Sequence, residues 1–301
     1  MAKRFGRKAS GITWPEQVSI TSATDVGTGR PYLATANTTS EASAANTGGA
    51  VNLVWALPSG SATASSYTIT TTPSTYTATT TNTSYTFQGL ASGAAYTFTI
   101  VANNSSGSST PATSSSVTAT TVPQAPSVSA VNQGSGRPYN NGQISATVTA
   151  GATGGKAISG YTVTPSATVS ATTSSSSPVV MTGFASATSY TFTAYVTNNN
   201  GNSLNSSATS GVTATTVPAT PGAPSASSST AGQDVVSWTA PADGGSAITG
   251  YTWASSDAKS GTTASTSVTV TQEQGTAQTY TVYATNANGN SGTSSSSNSI
   301  T

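Results

Sequence analysis

The chain has no cysteine, no histidine and very little charge. Without cysteine no disulfide staples the fold and no thiol does chemistry. Without histidine the usual general base and the commonest metal ligand are missing, and with them every Ser-His or Cys-His arrangement. Charged residues make up 5% of the 301 residues, where about 25% is ordinary. The seven carboxylates, Glu16, Asp25, Glu41, Asp234, Asp243, Asp257 and Glu273, are scattered. Glycoside cleavage by two carboxylates needs a close pair in one cleft. No phosphate-binding loop and no metal-ligand spacing occurs. The expectation is a protein with no catalytic residues, no metal and no cofactor. A net charge of +1 argues against a nucleic-acid partner. No apolar run approaches the ~18 residues of a membrane helix, so no membrane insertion is expected.

A polar chain with little charge raises the question of disorder. Disordered chains combine high net charge with few aromatic and β-branched residues. This one has 12 Tyr and 4 Trp, with abundant Val and Thr, all strand formers. Internal repeats are plain. "AAYTFTIVANNSSGSS", "TSYTFTAYVTNNNGNS" and "QTYTVYATNANGNSGT" begin at Ala94, Thr188 and Gln278, and their leading tyrosines Tyr96, Tyr190 and Tyr280 are 94 and 90 residues apart. Tyr67, Tyr161 and Tyr251 keep the same spacings. Tandem domains of about 90 residues follow.

Within each repeat apolar residues alternate. Tyr96, Phe98 and Ile100 share one face; Tyr190, Phe192, Ala194 and Val196 do so in the second repeat, and Tyr280, Val282 and Ala284 in the third. This is the pattern of antiparallel strands with one buried face. "NNSSGS", "NNNGNS" and "NANGNS" read as hairpin turns, because Asn and Gly tolerate positive φ. "VTATTVPQAPS" and "VTATTVPATPGAPS" close the first two repeats; proline ends ladder pairing there.

These residues resemble the fibronectin type III family over about residues 19–301. Trp55 and Trp238 resemble its core tryptophan, Tyr67, Tyr161 and Tyr251 its third-strand tyrosine, and "LASGAAY" and "FASATSY" its tyrosine corner. Val148 or a neighbour stands where the middle repeat would carry the tryptophan, so a less tightly filled core is expected there. The resemblance implies an all-β fold of three tandem fibronectin type III-like antiparallel β-sandwiches, preceded by an extended basic N-terminal arm. The arm takes residues 1–18, and the domains residues 19–122, 123–217 and 218–301. The wording "GTGRPY", "GSGRPYNNG" and "TNNNGNS" is similar to the Ser/Thr-rich fibronectin-like repeats of tailed-phage structural proteins. It implies a non-enzymatic virion protein, a capsid decoration or a tail or neck appendage, whose partners are capsid or tail subunits. No apolar signal-peptide core follows the basic start, so the expected location is the virion surface, reached from the host cytoplasm.

Four of the eight basic residues, Lys3, Arg4, Arg7 and Lys8, fall in the arm with Phe5 and Trp14. Arg and aromatic residues are common interface anchors, so these six are the partner-docking candidates. Arg30 and Tyr32, and Arg137 and Tyr139, belong to the repeated "GRPY" and are candidates for bracing repeat junctions. The first repeat carries 13 extra residues between Arg30 and Tyr67, placed within "LATANTTSEASAANTGG". A host-surface adhesion module is the alternative, with Tyr195, Trp253 and Tyr283 as the aromatic platforms for envelope polysaccharide; an exported bacterial surface protein is another. Asp243 in "PADGGS" is read as a turn residue.

Overall fold

The computed structural model describes residues 13–36, 47–73, 76–167, 169–230, 232–272 and 275–301, and among them there is no helix. The strands form antiparallel sheets in three repeats of one design. In the first, Ser19–Asp25, Gly49–Ala56 and Ser84–Leu90 make one sheet in that order. The other runs Thr77–Thr80, Ser66–Thr72, Ala94–Asn104, Gly107–Ser108. The middle repeat has Ser127–Asn132, Gly142–Thr149 and Val179–Phe184 against the order Thr172–Ser174, Gly160–Pro165, Phe192–Asn198, Gly201–Asn202. The third has Ser225–Thr230, Gln233–Ser237 and Ser267–Thr271 against Ser260–Thr263, Gly250–Ser255, Tyr280–Asn286, Gly289–Asn290. By internal contacts the chain divides into two compact units. The first runs to Ser127 and takes in Ala150–Gly160 and Tyr195–Asn205; the second comprises Val128–Thr149, Tyr161–Ala194 and Ser206–Thr301. The division passes through the middle repeat.

Alternation along the strands builds the cores. In Ala94–Asn104 every second residue from Tyr96 to Ala102 is buried. These side chains meet Val51, Leu53, Trp55 and Phe87 of the opposite sheet. Trp55 packs edge-on against Tyr67 at 5.3 Å, and Trp238 against Tyr251 at 5.4 Å. Val148 holds the tryptophan position of the middle repeat and is buried. Aromatic bulk comes there from Phe184, 4.8 Å from Tyr190 and 5.8 Å from Phe192.

Two expectations are corrected. Residues 13–18 are not a separate arm. Val18 is in the first core, the Glu16 amide donates to Ser61 Oγ at 2.9 Å, and Gln17 Nε2 donates to the Pro111 carbonyl at 2.6 Å. Lys3, Arg4, Phe5, Arg7 and Lys8 lie outside the described residues. Second, Tyr280 is not the counterpart of Tyr96 and Tyr190. Tyr67 pairs with Ala102 and Tyr251 with Ala284, which aligns Tyr280 with Phe98 and Phe192. Gln278 holds the tyrosine position, bridging to Ile300 as Tyr96 does to Val117 and Tyr190 to Val212.

The segment that follows the last turn of each repeat is not a regular strand. In the third repeat every third residue, Ser291, Ser294 and Ser297, turns toward the sheet. Their amides donate to the carbonyls of Ala284, Val282 and Tyr280. Their hydroxyls accept from the amides of the same three residues, at 2.9, 3.0 and 2.9 Å. Each hydroxyl then donates to the carbonyl of the next residue along its own segment. A serine hydroxyl thus replaces a backbone carbonyl as acceptor, and three residues of this segment match two of its neighbour. Ser203, Ser206 and Thr209 repeat the arrangement on Val196, Ala194 and Phe192. Ser109 and Ser114 do so on Ala102 and Phe98.

Candidate functional site

The repeated Gly-x-Gly-Arg-Pro-Tyr loop leaves the first strand of its repeat and meets the residues that begin the next one. Its first glycine is set by close approach. A Cβ on Gly27 would strike the Thr120 carbonyl, and one on Gly134 the Thr215 carbonyl. The second glycine is set by conformation: Gly29 has φ +72° and Gly136 φ +67°, where an L side chain is strained. The loop then presents two backbone groups. Within the first unit the Gly29 amide donates to the Asn200 carbonyl at 2.8 Å, and the Arg30 carbonyl accepts from the Val122 amide at 3.1 Å. Within the second unit Gly136 donates to Asn288 at 2.7 Å, and Arg137 accepts from Val217 at 3.0 Å.

The arginine side chains turn the other way. Arg30 donates from Nε to the Gly48 carbonyl at 2.7 Å, from Nη2 to Thr47 at 2.9 Å, and from Nη1 to Gln88 Oε1 at 3.2 Å. Burial lowers its pKa from the usual guanidinium value. Arg137 Nε donates to the Asn141 carbonyl at 3.0 Å. The same bond spans 18 residues in the first repeat and 4 in the middle one. The extra residues of the first repeat therefore lie between Tyr32 and Gly48, and 37–46 of them are outside the described residues.

Asparagines complete the junctions. Asn198 Nδ2 donates to the carbonyls of Thr121 and Thr153 at 2.9 and 2.8 Å. Asn200 Nδ2 reaches Thr120 Oγ1 at 2.7 Å. In the second unit Asn286 Nδ2 donates to Thr216 at 2.8 Å and Asp243 at 2.7 Å, and Asn288 Nδ2 to Thr216 at 3.0 Å. From the other side Asp25 accepts from the amide and hydroxyl of Thr120, and Asn132 engages the amide and hydroxyl of Thr215 at 3.0 and 2.7 Å. From the sequence alone these asparagines read as hairpin-turn residues. Their constant position on the strand, Asn104, Asn198 and Asn286, was the signal.

Each junction leaves a cleft. One, of about 320 Å³, is lined by Pro31, Tyr32, Val122, Pro123, Asn202 and Leu204 among others. The second, of about 480 Å³, is lined by Pro138, Tyr139, Val217, Thr220, Asn290 and Ser291 among others. Tyr139 is 38% exposed. The three expected polysaccharide platforms fall on two different strand types, each within its own repeat. Tyr195 and Tyr283 lie on the outward side of their strands and are half-buried. Trp253 is a correction: it packs against the third core and 6.4 Å from the Tyr280 ring, on the same side of its strand as buried Tyr251. The Asp243 carboxylate accepts the Gly245 amide at 2.8 Å and so closes a turn.

Among the described residues one carboxylate is buried. Asp234 stands where the other repeats carry Val51 and Ile144 in the register set by the neighbouring strands. The Tyr280 hydroxyl donates to it at 2.6 Å and accepts from Gln272 Nε2 at 2.8 Å. Lys259 Nζ donates in turn to Gln272 Oε1 at 2.6 Å. Burial first, and then the bond to Asp234, push the Tyr280 pKa up to about 12. Among the described residues no three of His, Cys, Asp and Glu cluster to hold a metal ion.

A fibronectin type III domain is matched over residues 38–118. The first repeat carries that domain. The solved fibronectin domains FN1–FN3 of chicken CNTN1 are 16% identical over 95% of this chain and 97% of that one, with a TM-score of 0.32. A structure of titin kinase and its flanking domains is 29% identical over 28% of this chain and 17% of that one, with a TM-score of 0.26. No curated protein matches. The middle and third repeats share the sheet order of the fibronectin type III repeat.

Proposed function

We propose that this chain is a non-enzymatic display protein of a tailed-phage virion, held on the capsid or tail through its basic N-terminal residues. The observation that carries the display reading is the junction. Within each unit the connection is hydrogen-bonded from both sides, by Asn198 and Asn200 against Asp25, or by Asn286 and Asn288 against Asn132. A tether that only held two domains together would need none of these bonds. The virion setting rests on the phage-like wording of the repeats. Lys3, Arg4, Arg7 and Lys8 would pair with acidic groups on a particle subunit, with Phe5 as apolar anchor. The test is deletion of residues 2–12, stopping short of the packed segment from Thr13. Particles assembled with the shortened protein should lack it on immunoblots. Normal incorporation would sink the reading.

A second reading is weak adhesion to host polysaccharide. The cleft beside Tyr139 favours it, because an exposed ring there adjoins the neutral hydrogen-bonding groups of Thr220, Asn290 and Ser291. Envelope polysaccharide should then bind the full chain in calorimetry and lose most of that binding on Tyr139→Ala. Equal heats for both proteins would dismiss it.

A further inference from the structure

The first repeat carries at Thr13-Trp14-Pro15 the same seat that Thr121-Val122-Pro123 and Thr216-Val217-Pro218 fill in the two junctions. The Thr13 carbonyl accepts from Asn104 Nδ2 at 3.0 Å, as Thr121 does from Asn198 and Thr216 from Asn286. Trp14 Cβ lies over Gly107, 3.6 Å from where its Cβ would stand, as Val122 lies over Gly201 and Val217 over Gly289 at 3.3 and 3.4 Å.

Only part of the seat is filled. In both junctions a Gly-Arg loop satisfies two further groups, the valine amide and the carbonyl of the turn asparagine. Their counterparts here are the Trp14 amide and the Ser106 carbonyl. Among the described residues neither has a hydrogen-bond partner. Val122 is 7% and Val217 9% exposed, but Trp14 is 60% exposed.

We infer that this end of the first repeat is a docking face for a β-sandwich of a partner protein that presents a Gly-x-Gly-Arg-Pro-Tyr loop. The occupant follows from the two filled seats, which are matched group for group. A second copy of this chain does not suit, since both of its loops are already seated. The tryptophan fits a partner held without a peptide link. Valine suffices where the neighbour is covalently attached, whereas separate partners need a large anchor, and tryptophan is among the commonest. The inference rests on the chain's own geometry and does not depend on the virion reading.

The test supplies an occupant. Residues 123–215, which carry the Gly136-Arg137 loop, are joined directly ahead of Thr13 in the full chain. Acrylamide quenching of Trp14 is taken as the difference between this protein and its Trp14→Phe version, and compared with the unextended chain. Quenching should fall severalfold, in step with 60% exposure against 7% and 9% in the filled seats. Exchange of the Trp14 amide should slow alongside. A folded added repeat with Trp14 as quenchable as before overturns the inference. An added repeat that does not fold there also counts against it, because the same residues fold ahead of the equivalent seat in the native chain.

Discussion

The Tyr280 hydroxyl donates to the Asp234 carboxylate at 2.6 Å inside the third repeat, where the other two repeats place aliphatic Val51 and Ile144. The bond exchanges apolar packing for a charge-assisted hydrogen bond. Removing either partner leaves a buried group wanting. Tyr280→Phe strands the carboxylate and should destabilise this repeat by about 1.5–3 kcal/mol. Asp234→Asn keeps an acceptor and should cost less. Denaturant midpoints, with exchange of the Val282 amide as a local probe, would check the order. A Tyr280→Phe protein as stable as the native one would refute it.

Alkali should act on the same repeat. An unfolded tyrosine loses its proton near pH 10, whereas Tyr280 holds it to about 12. Tyr76 in the first repeat is also raised to about 12, by burial first and then by Tyr96. The stability carried by these two protonated hydroxyls is complete below pH 10 and is lost as the pH rises toward 12. Guanidinium unfolding at stepped pH should show the decline, and ultraviolet titration should show Tyr76 and Tyr280 among the tyrosines that ionise late, with Tyr67 and Tyr251 also raised by burial. A flat profile to pH 12 contradicts the assignment.

At the junctions, Asn198→Asp and Asn286→Asp turn a donor into a carboxylate facing two carbonyls at Asn198 and three at Asn286. Each should cost about 1–3 kcal/mol or more and speed proteolysis between Thr121 and Pro126, or Thr216 and Pro224. Cleavage at the native rate would show that the amide bonds do not stiffen the connection.

Within the loop, backbone and side chain separate cleanly. Gly27→Ala and Gly134→Ala force a methyl onto a carbonyl and should destabilise by about 1–3 kcal/mol, or more. Arg137→Ala removes one bond to Asn141 and leaves the carbonyl that meets Val217. It should change thermal stability less than Gly134→Ala; the reverse ranking would place the brace in the guanidinium.

The serine pattern predicts a threefold periodicity of mutational cost. Ser206→Ala and Ser294→Ala each leave a buried strand amide without its acceptor and should cost about 1–3 kcal/mol. Ser207→Ala, Ser295→Ala and Ser296→Ala, on exposed positions, should stay within about 0.5 kcal/mol. An alanine scan from Ser291 to Ser299 that showed period two would overturn it.

How much of this could be read in advance depends on what each signal survives. The alternation in Tyr96 to Ile100 requires a buried face and marks a strand without ambiguity. Alternation cannot detect a slip of two residues, because such a slip keeps every side chain on its face. Tyr280 was therefore matched to Tyr190 when its register partner is Phe192. The asparagines discriminate: Asn104 and Asn198 each follow their tyrosine by eight residues, and Asn286 follows Tyr280 by six. Trp14 sits beside the basic residues and so reads with them in sequence, although Thr-Trp-Pro repeats the pattern of Thr-Val-Pro at both junctions. Trp253 looked like a surface platform for want of a strand register, which the pairing with Val282 supplies. The serine rhythm was hidden by composition. Where most residues are Ser, Thr or Asn, the ones that turn inward do not stand out.

Sheets with open margins invite other chains to pair with them, and proteins ordinarily repel such guests with lysine and other charges. A surface with so few charged groups has little of that protection. The three-for-two segment supplies another kind. Its inward amides and hydroxyls are committed to the neighbouring strand, and carbonyls such as those of Gly292, Ser295 and Asn298 are held by the hydroxyls beside them. Its spacing is also out of step with a pleated strand. A passing chain therefore finds no ladder to extend along this margin.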